Sequence, residues 1–158
     1  MDNQRHILMA DDCEDDFLLF EAAFRKSNLA HKLYHVPDGE RALMYLEGVA
    51  PFHDRTKFPF PDLLILDVKM PGMNGFEVLG RLREQNNIQV PVLMFSSSNS
   101  PRDIEMSMRL GAAEYFVKPL SLAGMAELAK DINQRWLRRT QAGQRDGEDQ
   151  KAGIRKDY

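Results

Sequence analysis

The sequence predicts an α/β protein, a three-layer α-β-α domain built on a five-stranded parallel sheet with five helices. Three observations predict it: short apolar runs alternate with stretches of helical period; the most apolar run, Leu63 to Leu66, has no polar alternation; and polar residues stand where runs end. A strand without alternation is one covered on both faces, as parallel sheets are.

Ile7-Leu8-Met9-Ala10 reads as the first strand, ended by Asp11 and Asp12, and Glu14 to Ser27 carries Phe17, Phe20, Ala23 and Phe24 at helical spacing. Leu33 to Val36 is a second strand. Pro37-Asp38-Gly39 closes it and offers Asp38 as N-cap of a helix to about Gly48, with Ala42, Leu43 and Leu46 inward. Val49 to Pro61, with three prolines and three phenylalanines, reads as a long loop. Leu63 to Leu66 is the third strand, ending at Asp67. Lys69 to Gly75 has turn chemistry, and Phe76 to Arg83 resumes a helix.

Val90 to Phe95 is a fourth strand, and the following Ser-rich loop to Pro101 can cap a helix over Asp103 to Leu110, closed by Gly111. Glu114 to Val117 is a fifth strand. After Lys118-Pro119, Ser121 caps a last helix in which Leu122, Met125, Ala129, Ile132 and Trp136 recur at three and four. Residues 1–139 form the expected domain; 140–158 lose apolar period and read as a disordered tail or frayed helix end.

With 158 residues and 43% hydrophobic content, one substantial core is expected and a second module is not. A net charge of -3 gives no bulk reason to expect nucleic acid or an anionic membrane as partner, and no apolar run approaches a membrane span; a cytoplasmic protein is expected. One cysteine, Cys13, excludes an internal disulfide and a zinc cluster. The four histidines are scattered without metal spacing, and the methionines read as packing residues rather than a cofactor site.

In a parallel sheet of flavodoxin-like order 2-1-3-4-5, ligands bind beyond the carboxyl ends of the strands. Asp11 and Asp12 follow strand one, Asp67 ends strand three, Ser96 ends strand four and Lys118 ends strand five, so all five project from one rim. Three carboxylates together need a compensating cation. Oxygen ligands without His or Cys suit Mg²⁺, which is usually completed by water and phosphate oxygens. Lys118 can then pair with a phosphoryl oxygen, Ser96 can donate to another, and Asp67 is left as the nucleophile. Taken alone, Asp11 and Asp12 could belong with Glu14, Asp15 and Asp16 to an acidic helix N-terminus, and those last three read as helix-dipole residues.

At these residues the chain resembles the response-regulator receiver family of bacterial two-component signalling, the CheY-like proteins, over roughly residues 5 to 138. The resemblance rests on Met9-Ala10-Asp11-Asp12, on Leu66-Asp67-Val68-Lys69-Met70-Pro71-Gly72-Met73-Asn74-Gly75, on Ser96 after Pro91 to Phe95, and on Lys118-Pro119. It implies that Asp67 is phosphorylated from a phosphohistidine of a sensor histidine kinase or histidine phosphotransfer protein. It implies Mg²⁺ held by Asp12, Asp67 and the backbone carbonyl of Lys69, with Asp11 acting through water, and a cis Lys118-Pro119 bond. It implies a switch formed by Ser96 and Tyr115. Lys69 and Ser98, at positions that tune phosphoryl lifetime in the family, lack the carboxylate or amide that would orient water, so slow to moderate hydrolysis is expected.

The Val49 to Pro61 segment, the Ser96-Ser97-Ser98 run and the Trp-ended last helix are similar to stand-alone receivers that partner bacterial phytochromes and related histidine kinases. Output is expected through the 100–139 face, to a protein target or a second copy. Two other readings compete. A haloacid-dehalogenase-type phosphatase needs an Asp two residues after its nucleophile, where this chain has Lys69. A scaffold that is never phosphorylated should have lost an acidic, acceptor or lysine position, and none is lost.

Overall fold

A computed structural model describes residues 4–138. The proposed tail 140–158 and the end of the proposed domain at 139 lie outside the described residues.

Five parallel strands, β1 (His6–Ala10), β2 (Lys32–Val36), β3 (Leu63–Leu66), β4 (Val92–Ser96) and β5 (Glu114–Val117), lie in the order β2-β1-β3-β4-β5. Alternate residues of each strand serve opposite faces. Ile7 and Met9 of β1 join Phe20, Ala23 and Phe24 of α1 (Glu14–Lys26) and Met125, Leu128 and Ala129 of α5 (Leu122–Ile132). Leu8 and Ala10 join Leu43 and Leu46 of α2 (Gly39–Glu47), Val78 and Leu79 of α3 (Gly75–Glu84), and Ile104 of α4 (Pro101–Arg109). The expected three layers follow. Among the described residues no helix is long and apolar enough to cross a membrane.

Local chemistry sets the helix starts. The side chains of Asp38, Asn74 and Ser121 accept hydrogen bonds from the backbone N–H of Arg41, Glu77 and Gly124, capping α2, α3 and α5. Pro101 begins α4 two residues before the predicted start, because the first helical position needs no N–H. β4 begins at Val92 rather than Val90 and takes in Ser96, whose carbonyl accepts from the Lys118 N–H at 2.8 Å. The last helix changes pitch: α5 ends at Ile132 and a π-helical turn over Asn133–Leu137 carries Trp136 onto the α1/α5 core.

The loop 49–61 packs on α2. Phe52 and Phe58 meet the Tyr45 ring at centroid distances of 5.2 and 5.9 Å, and the Tyr45 hydroxyl donates to the Pro59 carbonyl at 3.2 Å. Arg55 donates to the carbonyls of Tyr45 (2.8 Å) and Leu46 (2.9 Å) in the last turn of the helix, the first of which also accepts from the Gly48 N–H.

One expectation fails here. The Lys118–Pro119 bond is trans, and the cis X-Pro bond among the described residues is Ala50–Pro51. Trans is the lower-energy isomer of an isolated X-Pro bond by about 0.5–1 kcal/mol.

Candidate functional site: an acidic pocket with one lysine

Side chains from the carboxyl ends of β1, β3 and β5 converge at one rim of the sheet. A carboxylate oxygen from each of Asp11, Asp12 and Asp67 can be chosen so that all three lie within 4.8 Å of one another. Asp11 is buried, Asp67 is 6% exposed and Asp12 faces solvent. Backbone bonds fix the loops that carry them: the Asp67 N–H donates to the Ala10 carbonyl, and the Asp11 N–H to the Val36 carbonyl. Asp11 Oδ1 accepts from the Cys13 N–H at 2.9 Å, turning the chain into α1.

Lys118 Nζ enters this pocket and lies 2.8 Å from Asp11 Oδ2, 3.1 Å from Asp67 Oδ2 and 2.6 Å from Asp16 Oδ2, with the Phe95 ring centroid 5.5 Å away. Burial pushes the Asp67 carboxyl up to about 6; Lys118 opposes this and Asp11 adds to it. For Lys118, burial alone would lower the ammonium, but hydrogen bonds and attraction from Asp11, Asp16 and Asp67 raise it above the ordinary lysine value. Within about 3 Å of Nζ, one positive charge faces three negative ones, and Asp12 adds a fourth acid beside them.

The donor set therefore fits a hard divalent cation: all oxygen, under-neutralised, and bordered by a cleft of about 540 Å³ lined by Asp12, Val68, Lys69, Met70, Asn74 and Asp103. Lys69 lies at this cleft beside Asp12.

Ser96 is buried at the end of β4, and its Oγ accepts from the Ser98 N–H at 3.2 Å. Ser98 Oγ in turn donates to Asp103 Oδ2 at 2.5 Å. Tyr115 is 1% exposed, and its hydroxyl donates to the Ser98 carbonyl at 2.7 Å. Its hydroxyl is raised above the ordinary tyrosine value, chiefly by burial. Ser96 and Tyr115 thus share one loop.

Two partners were missed. Asp16, read as a helix-dipole residue, sits one turn after Asp12 and reaches Lys118; the i, i+4 spacing from an acid on the rim was the available signal. His35 Nε2 lies 2.7 Å from the Asp11 carbonyl oxygen with its ring stacked on Phe17, and nothing in the residues around it announces that contact.

An acidic pocket and a lysine at the carboxyl rim of a 2-1-3-4-5 sheet define a receiver. The chain belongs to the response regulator receiver domain family, whose family model matches residues 7–130. Two Arabidopsis thaliana two-component response regulators are similar over 131 residues: ARR17, 35% identical over 81% of this chain and 84% of that protein, and ARR3, 34% identical over 80% of this chain. The chain spans 54% of ARR3.

Solved structures of nearly the same length are also similar, a phytochrome response regulator among them. The response regulator RPA3017 "in red light signaling of R. palustris" aligns with TM-score 0.80 and 30% identity, covering 84% of this chain and 94% of that one. The phosphorylated cyanobacterial phytochrome response regulator RcpA aligns with TM-score 0.77 and 28% identity, over 85% and 94%. The Mn²⁺-bound form of response regulator Rcp1 aligns with TM-score 0.75 and 25% identity, over 86% and 96%.

Proposed function

We propose that this receiver takes a phosphoryl group from a histidine kinase or a histidine phosphotransfer protein onto Asp67 and thereby switches a protein-binding surface. The observation that carries the reading is the Asp67 carboxylate, 3.1 Å from the Lys118 ammonium and within 4.8 Å of oxygens from Asp11 and Asp12. In the transfer, an Asp67 carboxylate oxygen forms the new P–O bond while the P–N bond to the donor imidazole breaks and its electron pair returns to the ring nitrogen. Lys118 balances charge on one phosphoryl oxygen, and the Ser96 hydroxyl, 1% exposed at the adjoining strand end, donates to another.

Asp12, Asp67 and the Lys69 carbonyl would hold Mg²⁺, with Asp11 acting through water. When bound, the ion neutralises the carboxylates and the incoming phosphoryl charge. That Rcp1 was solved with Mn²⁺ and RcpA in a phosphorylated form supports both parts of the reading. That RcpA is a phytochrome response regulator and that RPA3017 acts in red light signaling favour a phytochrome-type histidine kinase as donor.

Rearrangement of Ser96 toward the phosphoryl group removes the acceptor of the Ser98 N–H, and Ser98 also anchors Asp103 of α4 and the Tyr115 hydroxyl. The change therefore spreads to the 100–139 face. The Ser98 hydroxyl is committed to Asp103 and Lys69 carries no acid, which favours slow to moderate loss of the phosphoryl group.

The test is incubation of the chain with acetyl phosphate and Mg²⁺, followed by intact mass. One phosphoryl group should appear, require the metal and be absent in Asp67→Asn. A label that persists in Asp67→Asn, no label at all, or continuous hydrolysis of phosphate esters would each overturn the reading.

A further inference from the structure

We propose that Asp16 is a positioning residue for Lys118, holding the ammonium by a hydrogen bond while Asp11 holds it by charge, so that one of its protons is aimed at the acceptor carboxylate; this rests on the phosphoryl-acceptor reading above. An ammonium has three protons and no acceptor capacity. The ammonium donates to Asp16 at 2.6 Å and to Asp67 at 3.1 Å, while Asp11 at 2.8 Å holds it by charge, and the longest contact is to the acceptor.

Asp11 and Asp16 approach from different elements. Asp11 is fully buried at the end of β1, while Asp16 is on the first turns of α1, its side chain 32% exposed. A flexible four-carbon chain with one anchor can rotate about it; a hydrogen bond to one element and an ion pair to another fix the head so that a proton faces Asp67. Asp16 stands outside the group of carboxylates whose oxygens converge for a cation, which comprises Asp11, Asp12 and Asp67. Its role is thus separable from metal binding. When Asp67 is phosphorylated, its charge moves onto the phosphoryl oxygens, toward which the ammonium is already directed while Asp16 and Asp11 hold it in place.

Two measurements on the full chain test this. The ¹⁵N-detected signal of the Lys118 ammonium should be resolved in the parent protein, because two fixed acceptors and a buried counter-charge slow rotation and proton exchange, and should be lost in Asp16→Ala. The rate of labelling by acetyl phosphate at saturating Mg²⁺ should fall by roughly tenfold in Asp16→Ala, less than the loss from removing a transition-state donor outright. Mn²⁺ affinity should fall sharply in Asp12→Asn and little in Asp16→Ala. A persistent ammonium signal in Asp16→Ala, or labelling at the parental rate, would overturn the proposal, as would a metal affinity lost equally in both variants. If the parent chain accepts no phosphoryl group, the phosphotransfer reading fails, while the ammonium signal still decides whether Asp16 fixes Lys118.

Discussion

Gly75 stands against the carbonyl of Asp67 so closely that a Cβ on residue 75 would lie 2.2 Å from that oxygen and 3.0 Å from the Val68 Cα. The Gly75 N–H donates to the Val68 carbonyl at 2.9 Å, so the start of α3 is pinned to the backbone just after the acceptor. The obstacle is backbone, which cannot rotate aside. Gly75→Ala is expected to destabilise the fold by about 3 kcal/mol, at the upper end for overpacking, and to displace Asp67. Urea denaturation checks the first effect and acetyl phosphate labelling the second.

Asp67 makes stability depend on pH with a defined sign. Its carboxyl moves from an ordinary 3.8 to about 6 on folding, because burial disfavours the charged form. Between those values the folded state holds the extra proton, so stability falls as pH rises through the window and stays lower above it. At about 1.4 kcal/mol per unit the cost approaches 3 kcal/mol at neutral pH. Asp67→Asn should therefore be more stable than the parent at pH 7 and lose that advantage toward pH 4, measured as urea midpoints across the range.

A divalent cation should reverse that cost. If Mg²⁺ binds the folded pocket and not the unfolded chain, a hundredfold excess over its dissociation constant adds about 2.7 kcal/mol. Thermal melts with and without Mg²⁺ should show this gain in the parent and most of it lost in Asp12→Asn, whose side chain faces solvent and is not paired with Lys118.

Arg55 is expected to matter for stability and not for phosphoryl chemistry. Its guanidinium binds the carbonyls of Tyr45, Leu46 and Phe58, tying the loop 49–61 to the end of α2. Arg55→Ala should cost about 1.5–3 kcal/mol, the range for lost hydrogen bonds to a charged group, with labelling of Asp67 unchanged. A labelling defect in a folded Arg55→Ala would show that the loop reaches the acidic pocket after all.

Much of this was written locally. The apolar run Leu63 to Leu66 is a buried strand with Asp67 at its end, and Asp38 and Ser121 cap the helices that the periodicity placed after them. Asp11, Asp12, Asp67, Ser96 and Lys118 share a rim because strand ends in a parallel sheet all point one way, a consequence of alternation alone. Residue type at those ends was enough to propose the chemistry.

Tertiary structure decided the pairings. Lys118 and Asp16 are 102 residues apart in the chain, and whether that acid serves the helix dipole or the lysine depends on how α1 is rotated against β5. The same holds for Tyr115, whose hydroxyl finds the Ser98 carbonyl only once β5 lies beside β4, and for Arg55, which caps a helix that ended before its loop began. Periodicity specifies which face of an element is buried. It carries no information on which polar atoms from distant segments will meet once that burial has brought them within hydrogen-bonding distance.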